Sequence, residues 1–312
     1  PTRRSSDLMS YMFIDCRSLE SINLSNVNAT SLYEMRGMFL RCFELTDINF
    51  DNSTFNIKQS HDENQMSSVF EGCNNLKTID FSKCKFSFES NTSLSNFFAN
   101  SSLKKVVFGD NFDTSQVTKM YYMFYYCNSL ESIDLTINTS KVTNMSYMFQ
   151  FCSSLKSVTF GDKFSTSSAD LDGMFQGTAL SIIDLRGLTG TVGSSMFRDC
   201  NSLTTIYCNK SWNNKYASNV FSGCYALKGV ISFDYDKTDV TYANPDTGYF
   251  TYLFDISDDM IQDIPDVVYN TNAQEPALTV THADMPALFA DYFSNKGLAV
   301  GTHYTAEYKE NV

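Results

Sequence analysis

Several things are scarce in this 312-residue chain, and each scarcity removes a class of function. Basic residues are outnumbered, 23 Lys and Arg against 35 Asp and Glu, which leaves a formal net charge of −12. Nucleic acid and anionic membrane both need a basic face, so neither is an expected partner. Histidine occurs only as His61, His282 and His303, and no Cys-x-x-Cys is present, so zinc-ligand spacing is missing. A nucleophile paired with histidine would have to use one of those three, and no glycine-rich phosphate loop or isolated carboxylate pair stands out. No apolar run of 18 residues appears, so no transmembrane helix is expected, and no signal peptide opens the chain. What is not scarce is hydrophobic side chain: at 43% of the residues the chain can bury a core.

Repetition fills that composition. The stretch Val117-Thr-Lys-Met-Tyr-Tyr-Met-Phe-Tyr-Tyr-Cys-Asn-Ser-Leu-Glu-Ser-Ile-Asp-Leu135 returns as Val142-Thr-Asn-Met-Ser-Tyr-Met-Phe-Gln-Phe-Cys-Ser-Ser-Leu-Lys-Ser-Val-Thr-Phe160. The shared skeleton is Met-Phe-x-x-Cys-x-x-Leu-x-x-Ile-x-Leu. Its phenylalanine falls at Phe13, Phe39, Phe70, Phe98, Phe124, Phe149, Phe175, Phe197 and Phe221, at successive intervals of 26, 31, 28, 26, 25, 26, 22 and 24. Such a period predicts a solenoid, in which no single coil can bury its apolar face and stacking supplies the burial. Within each unit the first half has apolar residues three and four apart, as at Met145, Met148 and Phe149, which predicts a helical turn or 3₁₀ piece, so that each coil gives one strand and one small helical or irregular segment. The second half switches to period two, as at Leu155, Val158 and Phe160, which predicts a strand with one buried face. Polar turns such as Gly109–Ser115 separate the units.

The strand half, with Leu130-x-x-Ile133-x-Leu135, resembles the core of a leucine-rich repeat. The Met-Phe-x-x-Cys half is similar to the BspA-like leucine-rich repeats of bacterial surface proteins. The resemblance covers residues 9–233, about nine coils. It implies a parallel β-strand stack with short helical or 3₁₀ segments on the other side. Residues 1–8 fit neither the repeat nor a signal and read as a non-native or truncated leader. Residues 234–254, polar and aromatic with Pro245 and Gly248, resemble the closing segment of such arrays. Residues 255–312 alternate in short strands and look like part of an Ig-like β-sandwich module. They end while still strand-like, so the native chain is expected to continue.

Seven of the nine cysteines, Cys16, Cys42, Cys73, Cys127, Cys152, Cys200 and Cys224, occupy the repeat position, where Ser101 and Thr178 take their place in two units. Side chains stacked in parallel favour buried thiols acting as small hydrophobes. A disulfide scaffold is the alternative, against which stand the odd count and the angle a disulfide needs. The methionines before each phenylalanine read as core filler.

Two surfaces could bind. Between the last two apolar residues of each strand, one side chain points outward. These form the column Asn23, Asn49, Asp80, Val107, Asp134, Thr159, Asp184, Tyr207 and Ile231, whose polar part (Asn23, Asn49, Asp80, Asp134, Thr159, Asp184) offers a partly acidic face. The rival is the aromatic patch Tyr121, Tyr122, Tyr125 and Tyr126. No cofactor or metal is expected. The resemblance implies a non-catalytic extracellular or cell-surface protein that presents its repeats to a host or cell-surface protein or glycan, as an adhesin does. A structural spacer and a glycan-binding accessory module are the alternatives.

Overall fold

In this computed structural model the chain divides into two compact units, residues 1–252 and 253–312. The structure describes residues 8–58, 62–89 and 91–252. The expected leader (except Leu8) and the expected β-sandwich at 255–312 lie outside the described residues.

Fifteen short strands punctuate the described residues. The first seven are β1 (Ser21–Asn23), β2 (Asn28–Leu32), β3 (Asp47–Asn49), β4 (Thr54–Ile57), β5 (Thr78–Asp80), β6 (Lys85–Phe88) and β7 (Thr92–Ser93). The rest are β8 (Lys105–Val107), β9 (Phe112–Asp113), β10 (Val117–Lys119), β11 (Ser132–Leu135), β12 (Ser157–Phe160), β13 (Ile182–Asp184), β14 (Thr205–Tyr207) and β15 (Phe250–Thr251). Every strand pairing among them is parallel, as a chain that winds in one sense requires. On one face β1 pairs with β3, β5 with β8, β11 with β12, and β13 with β14 and then β15. A second face carries the four-stranded sheet β2-β4-β6-β9, and β7 pairs with β10 beside it. The fold is thus a parallel β-solenoid of leucine-rich-repeat type.

The repeat phenylalanines run through the middle as one column. Neighbouring rings from Phe13 and Phe39 through Phe70, Phe98, Phe124, Phe149, Phe175, Phe197 and Phe221 stack with centroids 5.2–6.1 Å apart. From Phe39 onward each is essentially inaccessible to water. Burial of one large aromatic side chain contributes on the order of 2–3 kcal/mol, so this column is a main source of cohesion between coils.

The segment that leads into each phenylalanine is not helical. It is a ribbon of linked turns, and its hydrogen bonds alternate. The N–H groups of Met35, Gly37, Phe39 and Arg41 donate to carbonyls of the next coil (Gln65, Ser67, Val69, Glu71). Those of Met38, Leu40 and Cys42, one residue out of phase, donate to carbonyls three residues back. Half of the amides therefore leave the coil, which a helix cannot allow. Two residues per ribbon, four apart, take positive φ, for example Gly37 and Arg41, Tyr122 and Tyr126, and Gly173 and Gly177. Among the described residues the 3₁₀ segment is Val240–Tyr242.

The cysteine position acquires a specific bond from this arrangement. The thiol of Cys42 donates to the carbonyl of Phe13, and those of Cys73, Cys127, Cys152, Cys200 and Cys224 repeat the contact with the phenylalanine one coil back, at 2.9–3.3 Å. Ser101 and Thr178 keep a donor at that place. All nine cysteines are free thiols, eight of them buried. Burial pushes Cys42 up to about 11 and Cys84 up to about 12.

The last repeat departs from the expected strand. Around Ile231 the backbone makes an antiparallel bridge between Lys228 and Ser232 instead of joining the stack. The place beside β14 is taken by β15, whose Phe250 is fully buried, as is Tyr249. Phe221 N–H donates to Thr238 O, so the final ribbon is also covered. The place opposite Ile206, which Val230 leaves by staying exposed, is filled by Phe250 from farther along the chain.

Candidate functional site

The two candidate surfaces lie on different sides of the coil, one on the strand face and one on the turn ribbon. The strand column forms in the expected register: Asn23 faces Asn49, Asp80 faces Val107, Asp134 faces Thr159 and Asp184 faces Tyr207. Its side chains do point outward, Asp80, Asp134, Thr159 and Asp184 being exposed. Four of the six polar members, however, are engaged locally. The side-chain oxygens of Asn23, Asn49, Asp80 and Asp184 accept the amides of Ser25, Asp51, Ser82 and Arg186, each two residues on. These are Asx turns that end the strand. Hydrogen bonds from Ser82 hold the Asp80 carboxyl below its ordinary value. At Asp184 partial burial works against the charge, but the Arg186 guanidinium at 2.8 Å and its amide outweigh it. The column's polarity is explained by turn chemistry before any ligand is invoked. A shallow depression bounded by Asp47, Asn49, Asp51, Asp80 and Lys83 indents this face.

The aromatic patch is built differently. Met120, Met123, Phe124 and Cys127 point inward and are fully buried, which turns Tyr121, Tyr122, Tyr125 and Tyr126 to the surface. Tyr126 keeps 40% of its surface open and the other three are half-buried. The rings contact in sequence at right angles: Tyr121 to Tyr122 at 5.8 Å, Tyr122 to Tyr125 at 5.0 Å, Tyr125 to Tyr126 at 4.6 Å. The next coil extends the cluster. Tyr147 stacks on Tyr122 at 5.1 Å, and Phe151 lies 5.0 Å from Tyr126. Sequence reasoning missed Tyr147 and Phe151, although their spacing of four repeats that of Tyr122 and Tyr126 one period later.

The residue types at the left-handed positions set this patch apart. Tyr122, Tyr126, Tyr147 and Phe151 all have φ between 56° and 59°. A left-handed conformation costs an L-residue with a side chain roughly 1–2 kcal/mol. In the other coils the same two positions hold Gly37, Gly72, Gly173, Gly177, Gly223, Asn96, Asn100 and Asn219, residues for which it is cheap, together with Asp15, Asp199, Ser68, Ser195, Arg41 and Tyr11. Glycine is required next to the patch: a Cβ on Gly173 would collide with the Tyr147 ring, and one on Gly177 would come within 2.6 Å of the Phe151 ring. Desolvation, with the neighbouring phenols, raises Tyr122 and Tyr125 above the ordinary phenol value, so both are neutral donors at physiological pH.

Among the described residues no group of three or more His, Cys, Asp or Glu is placed to hold a metal ion. No helix among them is long and apolar enough to cross a membrane.

With coil, column and ribbon in view, the class is a leucine-rich-repeat solenoid. Residues 118–241 match, in six copies, the family described as BspA type leucine rich repeat region. Residues 4–84 match a second family, described as a Mycoplasma protein of unknown function. Among solved structures the chain is similar to a leucine-rich repeat protein from Bacteroides ovatus, at 16% identity and a TM-score of 0.33, over 75% of this chain and 66% of that one. The chain thus spans just under two thirds of that protein's length. No curated protein matches the chain.

Proposed function

We propose that this is a non-catalytic cell-surface or secreted repeat protein, adhesin-like, whose solenoid binds another macromolecule through the aromatic ribbon of Tyr121, Tyr122, Tyr125, Tyr126, Tyr147 and Phe151. The observation that carries this reading is the placement of four bulky rings at left-handed backbone positions of two adjacent coils, where the other coils mostly hold Gly, Asn, Asp or Ser. Strain kept at a surface where cheaper residues fit is a mark of function. Exposed tyrosines are also frequent anchors of interfaces. The strand column ranks second, because its Asn and Asp side chains already serve their own turns. If neither surface binds, the array acts as a spacer.

Two variants separate the surfaces. One carries Tyr122→Gly and Tyr126→Gly with Tyr121→Ser and Tyr125→Ser. The other carries Asp80→Ser, Asp134→Ser and Asp184→Ser. Binding to immobilised host-matrix protein and mucosal glycan is expected to fall at least tenfold in the first and to hold in the second. The reverse pattern, with binding that weakens as salt rises, assigns the strand face. No binding by the wild type to either surface assigns the spacer.

A further inference from the structure

Charge and size narrow the kind of ligand the aromatic ribbon can take. Residues 120–128 and 144–153 contain no charged side chain, in a protein of net charge −12. In the following coil the Asp172 carboxylate accepts the Ser194 amide at 2.6 Å, and that of Asp170 accepts the Asp172 amide. Around the rings stand amides: Asn96 and Asn100 occupy the equivalent left-handed positions one coil earlier. On the other side Gln150 donates to Gln176 at 2.7 Å, and Ser153 donates to Asn128 at 3.2 Å. The surface is therefore neutral, aromatic at its centre and rich in amide and phenol groups at its rim. Such a rim can both give and accept hydrogen bonds. A charged ligand would find nothing there to pair with.

The rings alone make a small contact area. Stable protein interfaces bury about 1,200–2,000 Å² in total. Six partly covered rings expose on the order of a few hundred Å². What fits that area and chemistry is a short run of sugar residues. A pyranose has one face of C–H bonds, slightly positive, which suits the negative face of an aromatic ring, and an equatorial belt of hydroxyls for the amides and phenols. Tyr122 and Tyr147 are stacked on each other, but among the described residues no ring stacks face to face on Tyr121 or Tyr125.

The geometry points to a neutral oligosaccharide as the ligand of this ribbon, held by stacking on Tyr121 and Tyr125 and by hydrogen bonds from the surrounding phenols and amides. This rests on the binding role proposed above and specifies its chemistry. The two coils together span only a few sugar units, so affinity for one chain is modest and binding to a dense glycan surface gains by multivalency.

The test is titration of the whole chain with uncharged hexasaccharides of glucose, mannose and xylose, followed by tyrosine resonances in NMR and by calorimetry. An uncharged proline-rich peptide serves as the contrasting probe. Saturable binding of at least one hexasaccharide is expected, unchanged within twofold between about 50 mM and about 500 mM salt. It should fall at least tenfold in Tyr121→Ser/Tyr125→Ser and stay unchanged in the triple Asp variant. Because glycine and asparagine already stand at the left-handed positions of other coils, Tyr122→Gly/Tyr126→Gly supplies a second folded variant with the same expected loss. Absence of binding to all three sugars overturns the assignment, as does binding that survives both tyrosine variants. If only the peptide binds, and needs the tyrosines, the glycan assignment falls while the binding role of the ribbon stands. If a macromolecular ligand binds without the tyrosines, the role of the ribbon falls as well.

Discussion

Residues 8–113 and 114–252 build the same solenoid with different means of holding coil to coil. The first region has the longest coils, with phenylalanine intervals of up to 31 residues, and its extra length goes into the second sheet β2-β4-β6-β9. That wider cross-section is filled by aromatics. Phe86 alone contacts the rings of Phe50, Phe55, Phe81 and Phe112 at 4.6–5.9 Å. In the second region the coils are shorter and that sheet stops. Its place is taken by hydroxyls: Thr114, Thr139 and Thr166, all buried, donate to the carbonyls of Asn138, Ser165 and Thr189 in the next coil at 2.6–2.8 Å. A coil can therefore change length if the inserted residues bring both their own backbone partners and their own apolar filling.

The comparison breaks most visibly if the aromatic filling is removed. Phe86→Ala is expected to destabilise the first region by about 3–5 kcal/mol, because four rings around one cavity cannot all collapse into it. Since each coil touches only its neighbours, stability in a solenoid is partly local. Amide exchange should accelerate in residues 28–113 and change little around Phe197 and Phe221. Uniform acceleration along the whole stack would show that the two regions unfold as one unit.

Thr139→Val tests the other region. The Thr139 hydroxyl donates to Ser165 O and accepts from Ser165 N–H at 2.6 Å, so the substitution takes a partner from two partly buried backbone groups. The expected cost is about 1–3 kcal/mol, with Thr139→Ser recovering most of it. Equal stability of the valine and serine variants in urea denaturation would mean that the threonine ladder adds nothing beyond packing.

Alkaline pH weighs on both regions through their thiols. Cys42 and Cys200 titrate near 11 and Cys84 near 12 when folded, against about 9 for an exposed thiol, because burial penalises the thiolate. The folded state therefore retains protons that the unfolded state has already released. Stability present in full below about pH 9 is lost as pH rises towards 11–12. Below pH 9 native thiol labelling is expected at Cys16, which is exposed, and slowly elsewhere. Fast native labelling of several cysteines would contradict this burial.

Much of this architecture was legible in the spacing of a few residue types. The phenylalanine intervals became the stacked column, and Leu130-x-x-Ile133-x-Leu135 became a strand whose Asp134 points outward. The turn ribbon was not legible, and the reason is geometric. Met145, Met148 and Phe149 have the spacing that puts apolar groups on one side of either a helix or a chain of turns. What distinguishes the two is where the amides bond, here to a coil about 25 residues away, and side-chain spacing does not encode that. The threonine ladder escaped notice for a similar reason: Thr114, Thr139 and Thr166 sit in stretches rich in Ser, Asn and Asp that read as exposed turns. At the strand column the outward direction was right. The Asx turns, though, change its meaning from a free acidic face to strand termini with little side-chain freedom left.

The smallest expected effect is the most informative about the aromatic ribbon. In the first region the left-handed position corresponding to Tyr126 holds Asp15, Arg41, Gly72 and Asn100, and in the second region Tyr126, Phe151, Gly177, Asp199 and Gly223. Tyr126→Gly removes a left-handed side chain, a gain of roughly 1–2 kcal/mol. It also removes ring contacts with Tyr125 and Phe151, each worth about 0.5–1.5 kcal/mol, and gives back chain entropy to the unfolded state. These terms nearly cancel, so thermal unfolding should move by no more than about 1 kcal/mol in either direction. Gly177→Ala is the converse and should be clearly destabilising, since its Cβ would meet Phe151 at 2.6 Å on a backbone with φ of 68°. If Tyr126→Gly instead destabilises by several kcal/mol, the ring is held for folding, and the strain at this surface no longer argues for a ligand. A near-neutral result, together with lost binding, leaves recognition as the reason a tyrosine stands where glycine would serve.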